Sequence, residues 1–234
     1  TLATTLQYVN LAAADLINCV GDCSSGFGRA SLSASGKIVQ YDGGWKNGKF
    51  HGFGRLEYSD GSFYEGQFRV GQRHGWGNFT WGGGQQDDCE KDSVASSTVL
   101  LNNAVYYDGH WVDGAMHGTG YILFGNGAEI WSQFVMGRAR GLGYMVMRNN
   151  SSPSTISIFA GGLFNEQPHG AGIIREFFVP SMTAYDDYAL LYADVLSSPL
   201  YHHRLRCQFQ GMFSHGARTL GTEKCYHQQP RAED

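Results

Sequence analysis

No apolar run in the chain approaches the ~20 residues that a bilayer-spanning helix requires, so such a helix is not expected. Charge is sparse as well. Asp, Glu, Lys and Arg make up 16% of the 234 residues, below the usual ~25%. The net charge of -4 leaves no broad electrostatic footprint for nucleic acid. Between residues 41 and 84, Lys46, Lys49, Arg55, Arg69 and Arg73 stand against Asp42, Glu57, Asp60 and Glu65. That near-balance is not a polybasic membrane patch. Cysteine is thin: Cys19, Cys23, Cys89, Cys207 and Cys225 are odd in number and lack the density of a small disulfide scaffold. The expectation is incidental or buried thiols in a reducing compartment.

The chemical signatures of a catalyst are missing too. Gly82-Gly83-Gly84 and Gly26-Phe27-Gly28 are not followed by the Gly-Lys-Ser/Thr of a phosphate loop. No Gly-x-Ser-x-Gly elbow occurs. No enzyme activity, cofactor or small-molecule substrate is expected. The chain begins at Thr1, which leaves open an upstream targeting peptide and an organellar location.

What is present is glycine, 33 residues, with aromatics at 14%; the glycine share is about twice the usual ~7%. The glycines have no three-residue period, which excludes collagen, and the aromatics argue against disorder. The combination points to short strands joined by tight turns.

The stretch "YDGGWKNGKFHGFGRLEYSDGSFYEGQF", residues 41–68, repeats itself after 23 positions. Units begin at Tyr41, Tyr64, Tyr107, Ile130 and Phe159, with a worn one at Phe209. Upstream, 26–37 matches only the back half of a unit. Alternation places Tyr41, Gly43 and Trp45 on one strand face, and Gly54, Leu56 and Tyr58 on one face of the next, with Arg55 and Glu57 opposite. Asn47-Gly48 supplies the turn between them, and Ser59-Asp60-Gly61 leads to the next unit. One unit is therefore one β-hairpin. A lone hairpin is marginal in water, so the units must stack. At two strands per unit the stack advances by roughly 10 Å each time, and six units make an array on the order of 55–60 Å long.

This pattern resembles the MORN (membrane occupation and recognition nexus) repeat, Tyr-Glu-Gly-x-Trp-x-x-Gly-x-x-His-Gly-x-Gly. The resemblance covers roughly 26–84, 107–147 and 159–177, and weakly 209–223. It implies a mainly β fold: tandem antiparallel hairpins stacked into an elongated single-layer array. It also implies a non-catalytic scaffold or adaptor that docks other proteins of a multi-subunit assembly, cytoskeletal or ciliary (axonemal) and cytoplasmic. Alternatives are a membrane-apposed, phospholipid-binding or tethering module and an accessory subunit of an organellar complex. Ile130, Ser132, Glu166 and Arg140 depart from the pattern, so their units should be less regular.

Two segments outside the repeat carry helical periodicity, about 3–18 and, with a capping box at Thr183 and Asp186, about 183–197. The expected organisation is an N-terminal helical segment over 1–25, repeats over 26–84, a polar insertion over 85–105, and repeats over 106–177. A helical insertion over 178–206 and a terminal repeat and tail over 207–234 complete it. His51, His74, His117 and His169 recur at equivalent positions, but at ~10 Å per unit they cannot share one ion with bonds near 2 Å. Gly43, Gly48, Gly52, Gly54, Gly66, Gly71, Gly75, Gly77, Gly109, Gly114, Gly118 and Gly120 are read as turn and structural positions. A single layer cannot cover both of its faces, so part of its aromatic surface should serve a partner. The candidates are Trp45, Tyr58, Phe68, Trp76, Trp81, Trp111, Phe124 and Phe134.

Overall fold

A computed structural model describes residues 15–34, 37–82, 103–149, 155–178 and 205–226, most of them in strands. The first six are β1 (Asp15–Gly21), β2 (Phe27–Ala34), β3 (Lys37–Lys46), β4 (Lys49–Glu57), β5 (Phe63–Arg69) and β6 (Gln72–Thr80). Then come β7 (Ala104–Val112), β8 (Ala115–Phe124), β9 (Glu129–Val135) and β10 (Arg138–Asn149). The last are β11 (Thr155–Phe164), β12 (Gln167–Phe178), β13 (Leu205–Ser214) and β14 (Ala217–Cys225). They follow chain order through one fourteen-stranded sheet. From β1 to β8 and from β11 to β14 neighbouring strands pair antiparallel. The chain divides into two units: Thr1–Gly125 with Trp131–Arg140, and Asn126–Ile130 with Gly141–Asp234.

The helix expected over 183–197 lies outside the described residues, as does 3–14 of the other. Residues 15–18 are not helical: they open β1, with Leu16 opposite Leu32. Leu16, Ile17 and Val20 remain more than half exposed, so their helical spacing marks no buried stripe. Pairing with β2 satisfies the backbone instead, and this tertiary partner overrides the local periodicity. The half-unit seen from Gly26 onward is thus a whole hairpin whose first strand lacks the aromatic–glycine signature. Strand β7 begins at Ala104 and β13 at Leu205, taking the last residues of the two expected insertions.

Six hairpins share one turn. Asn47-Gly48, Val70-Gly71, Asp113-Gly114, Met136-Gly137, Asn165-Glu166 and His215-Gly216 all have positive φ at both residues. That is the two-residue turn whose twist matches the strands it joins. The irregularity expected around Ile130 and Glu166 does not reach the turns: both hairpins keep this geometry, and Glu166 adopts φ 62° where other turns use glycine. The second turn residue also hooks onto the preceding hairpin. Gly48, Gly71, Gly114 and Gly137 donate N–H to the carbonyls of Ser24, Phe50, Arg73 and Met116, at 2.8–2.9 Å. In the second unit, Gly216 does the same to Pro168.

In the first unit, the first aromatic ring of each repeat lies over a pair of facing glycines. Gly43 pairs with Gly54 and Gly66 with Gly77. A Cβ on Gly54 would sit 2.4 Å from the Tyr41 hydroxyl oxygen, so only glycine fits beneath the ring. The Tyr41 hydroxyl donates to the Gly44 carbonyl, Tyr64 to Gln67 and Tyr107 to His110, at 2.9–3.1 Å. Each tyrosine then meets two rings edge-on, one in its own strand and one in the next repeat. Tyr41 meets Trp45 and Phe68; Tyr64 meets Phe68 and Trp111; Tyr107 meets Trp111 and Phe134, with centroids 5.0–5.4 Å apart. Such pairs contribute about 0.5–1.5 kcal/mol beyond their burial. They make each repeat's stability depend on its neighbour.

In the second unit Phe159 lies over Gly161 and Gly172, and Phe209 over Gly221. Both rings meet Phe213, at 4.9 and 5.3 Å. The ring-over-glycine frame is kept, without hydroxyls.

Candidate docking surface

Trp45, Phe68, Trp111, Phe124 and Phe134 are at most 7% exposed. Five of the eight aromatics proposed for a partner surface are therefore core. The Trp45 and Trp111 indoles also donate N–H to the Gly28 and Gly77 carbonyls, at 3.0 and 2.9 Å. Tyr58 and Trp81 are half-buried and flank Phe79, at 6.1 and 4.7 Å between ring centres. Trp76 alone among the eight is largely exposed, at 57%.

The reason is alternation. Trp76 stands between Gly75 and Gly77, and its neighbours in the strand turn toward the tyrosine face, so its side chain goes to the other one. The same Gly-x-Gly frame holds Phe53 on β4 and Phe27 on β2, which are 66% and 78% exposed. Pairing aligns them. Phe27 faces Gly44, Phe53 faces Gln67, and Trp76 faces His110. The Gln67 side-chain oxygen accepts the Trp76 backbone N–H at 2.9 Å, and the Trp76 and His110 rings meet edge-on at 5.8 Å. The result is a row of three exposed aromatic anchors on β2, β4 and β6, two strands or about 10 Å apart, with Gly44, Gln67 and His110 opposite them on β3, β5 and β7. Phe27 and Phe53 were not among the candidates, although the residue between two glycines in successive units was a usable signal for them.

Beside the row runs a polar one: Arg29 faces Asp42, and Arg55 faces both Asp42 and Glu65. The cations are matched there. Arg29 bonds Asp42 at 2.8 Å through its Nε, and Arg55 bonds Glu57 at 2.7 Å and Glu65 at 3.4 Å. The hydrogen bond to Glu57, followed by its charge and that of Glu65, raises the Arg55 pKa. These exposed pairs contribute little to stability, but they leave the row's border with mixed charge.

The tyrosine face has the opposite character. Burial raises the hydroxyl pKa of Tyr41, Tyr64 and Tyr107 above the usual 10.0. These hydroxyls already donate to backbone carbonyls, so they serve as structural donors rather than acid–base groups. The recurring histidines sit on alternate strands. Among the described residues no group of three or more His, Cys, Asp or Glu is placed to hold a metal ion.

The cysteines depart from expectation. Cys19 is bonded to Cys23 and Cys207 to Cys225. Spacing alone did not reveal the second pair, because its members become neighbours only when β13 and β14 align.

Residues 41–63, 64–86 and 107–129 each match the MORN repeat model, and the chain carries MORN repeats at these three positions. It is also similar to Alsin from Mus musculus, 29% identical over 140 residues, and from Homo sapiens, 28% identical over 140 residues. Each match covers 60% of this chain and 8% of Alsin, so the chain spans a small part of the length of these relatives.

Proposed function

We propose that this chain is a non-catalytic docking module that binds a partner protein of a cytoskeletal or ciliary assembly through the row Phe27–Phe53–Trp76. The observation that carries this is the exposure of those three rings on the face opposite the aromatic core. A row of large apolar side chains at fixed intervals, framed by glycines, suits recognition and contributes little to packing. The occupant that fits is an amphipathic helix laid across the strands. A heptad advances a helix by about 10.5 Å, close to the ~10 Å between successive anchors, so apolar residues seven apart meet Phe27, Phe53 and Trp76 in turn. The match is the general helix-on-apolar-surface mode of recognition.

The membrane-apposed reading has less support. Anionic lipid is attracted by clustered Lys and Arg, whereas the cations bordering the row are neutralised by Asp42, Glu57 and Glu65. The cytoplasmic, cytoskeletal or ciliary setting rests on the MORN resemblance. The cysteine argument for a reducing compartment no longer supports it, since four of the five cysteines are paired.

The test is affinity purification from native extract with the full chain and with a Phe27→Ser, Phe53→Ser, Trp76→Ser variant of matched fold. Loss of the same partners from the variant is expected. Retention of all of them would refute the docking row. Salt-sensitive flotation of the parent, but not the variant, with phosphatidylserine vesicles would favour the membrane reading instead.

A further inference from the structure

Strand β14 is the last in the sheet, and all nine of its residues are exposed. No side chain of Ala217–Cys225 enters a core, and Leu220, its one large aliphatic, is 75% exposed. A strand held on one side by backbone bonds alone, in water, is marginal. The Arg218 guanidinium reaches Glu176 on β12, a partly covered pair, and the Thr219 hydroxyl donates to the Met212 carbonyl at 2.9 Å, while Arg218–Glu223 lies within β14 and ties it to nothing. Polar ties at a solvent-facing edge each contribute little. The firm attachment is covalent. Cys207 and Cys225 are directly opposite, beside the 2.7 Å bond from the Tyr226 N–H to the Arg206 carbonyl, so they occupy the non-hydrogen-bonded site where opposing chains come closest.

The other pair is different. Cys19–Cys23 closes a loop that other bonds already hold. The Asp22 carboxylate accepts the Ser24 and Ser25 backbone N–H groups and the Ser24 hydroxyl, bonds that also keep its pKa low, Ser25 contributing most. Trp45 N–H to the Gly26 carbonyl and Gly48 N–H to the Ser24 carbonyl tie the loop to β3 and its turn. Cleaving Cys19–Cys23 releases little, whereas cleaving Cys207–Cys225 leaves β14, among the described residues, with its backbone pairing to β13 and two polar side-chain ties, Arg218 to Glu176 and Thr219 to the Met212 carbonyl.

We propose that Cys207–Cys225 is a thiol-operated latch on β14. A dithiol reductant attacks one sulfur, passes through a mixed disulfide and leaves as its own disulfide. Two electrons and two protons go to the pair, which ends as two thiols. Strand β14 then opens. Its departure uncovers the outer backbone edge of β13 and the ring of Phe209, which Gly221 now covers at a distance where a Cβ would lie 2.7 Å away. In a glutathione-buffered compartment such a pair forms only intermittently and has a sensing role. The latch does not depend on the docking row, which lies in the other unit.

Peptide-resolved hydrogen exchange on the full chain, before and after reduction, tests it, with alkylation mass used to count free thiols. Reduction is expected to speed exchange in 217–226 and in the β14-facing amides of 205–213 by about tenfold or more, leaving 38–80 unchanged. A Cys207→Ser, Cys225→Ser variant should exchange fast with or without reductant. A Cys19→Ser, Cys23→Ser variant should keep the full response. Unchanged protection of 217–226 once both thiols are shown to be free overturns the proposal. Should the Cys207 variant not fold, reduction of the parent still decides.

Discussion

At Tyr41, Tyr64 and Tyr107 the first unit sets a phenol over a glycine pair and ties its hydroxyl to a carbonyl three residues on. At Phe159 and Phe209 the second unit sets a plain phenyl ring over the equivalent glycines. Trp45 and Trp111 also bond back to the preceding repeat, a tie that Phe68 and Phe134 in the same unit and Leu163 and Phe213 in the second have no side-chain donor to make. The second unit has instead a cross-strand disulfide in its last hairpin. What survives in both is ring over glycine, edge-on ring contact and the turn-to-turn hook. Shape is the common requirement of the repeat, and polar ties are additions to it.

If that is right, removing the ring should be equally damaging on both sides. Tyr64→Ala and Phe159→Ala are each expected to cost about 3–5 kcal/mol, because a fully buried ring leaves a cavity over two glycines that cannot fill it. Denaturant melts followed by peptide-resolved exchange would assign the loss to each unit. A cost below about 1 kcal/mol in the second unit alone would break the equivalence.

Alkaline pH should separate the units. The buried hydroxyls of Tyr41, Tyr64 and Tyr107 titrate above the usual 10.0 in the folded chain. Unfolded chains release those protons near pH 10 while folded ones retain them, so the stabilisation is complete below that pH and declines as pH rises beyond it. Loss of first-unit structure above pH 10 is expected, tracked by near-ultraviolet dichroism and tyrosinate absorbance. The variant with Phe at 41, 64 and 107 should be less stable at neutral pH yet decline less steeply. An equally steep decline in that variant would locate the effect elsewhere.

The hairpins, the Asn47-Gly48 turn and the inward faces of Tyr41 and Leu56 were legible in the sequence, since each is set by local spacing and by glycine's tolerance of positive φ. The outward row was not, because Trp45 and Trp76 look alike as residues and differ only in strand parity relative to the tyrosine. Strand β1 was hidden for another reason. Leu16, Ile17 and Val20 fit a helical period, and only pairing with β2 decides between helix and edge strand. The Cys207–Cys225 bond needed the register of the last hairpin, where the repeat is most worn.

The polar tie itself can be moved between units. Gly162 and Gly44 share a setting: a Cβ on either would meet the carbonyl of a following histidine, His169 at 2.2 Å and His51 at 2.3 Å. In Phe159→Tyr the new hydroxyl therefore has the Gly162 carbonyl within reach, as Tyr41 has that of Gly44. A gain of about 0.5–1.5 kcal/mol is expected, and a similar loss from Tyr64→Phe. No gain from Phe159→Tyr would mean that the second unit's frame differs by more than its missing donors.

The smallest effect concerns the turns. Val70 holds φ 52°, a region costly for a β-branched residue, and it is 61% exposed. Val70→Asn recreates the Asn-Gly turn of residues 47–48 with little packing to lose, so a gain of about 0.5–1 kcal/mol is expected from thermal or denaturant melts. In the second unit Glu166 is the strained partner, at φ 62°. Glu166→Gly also produces Asn-Gly, but the side chain it removes is fully buried and engaged with its surroundings. Relief of strain is offset there by lost packing, and no net gain is expected. Equal gains at both sites would show that backbone strain alone governs these turns; a gain only at Val70 would show that the second unit has put a turn residue to use in its core.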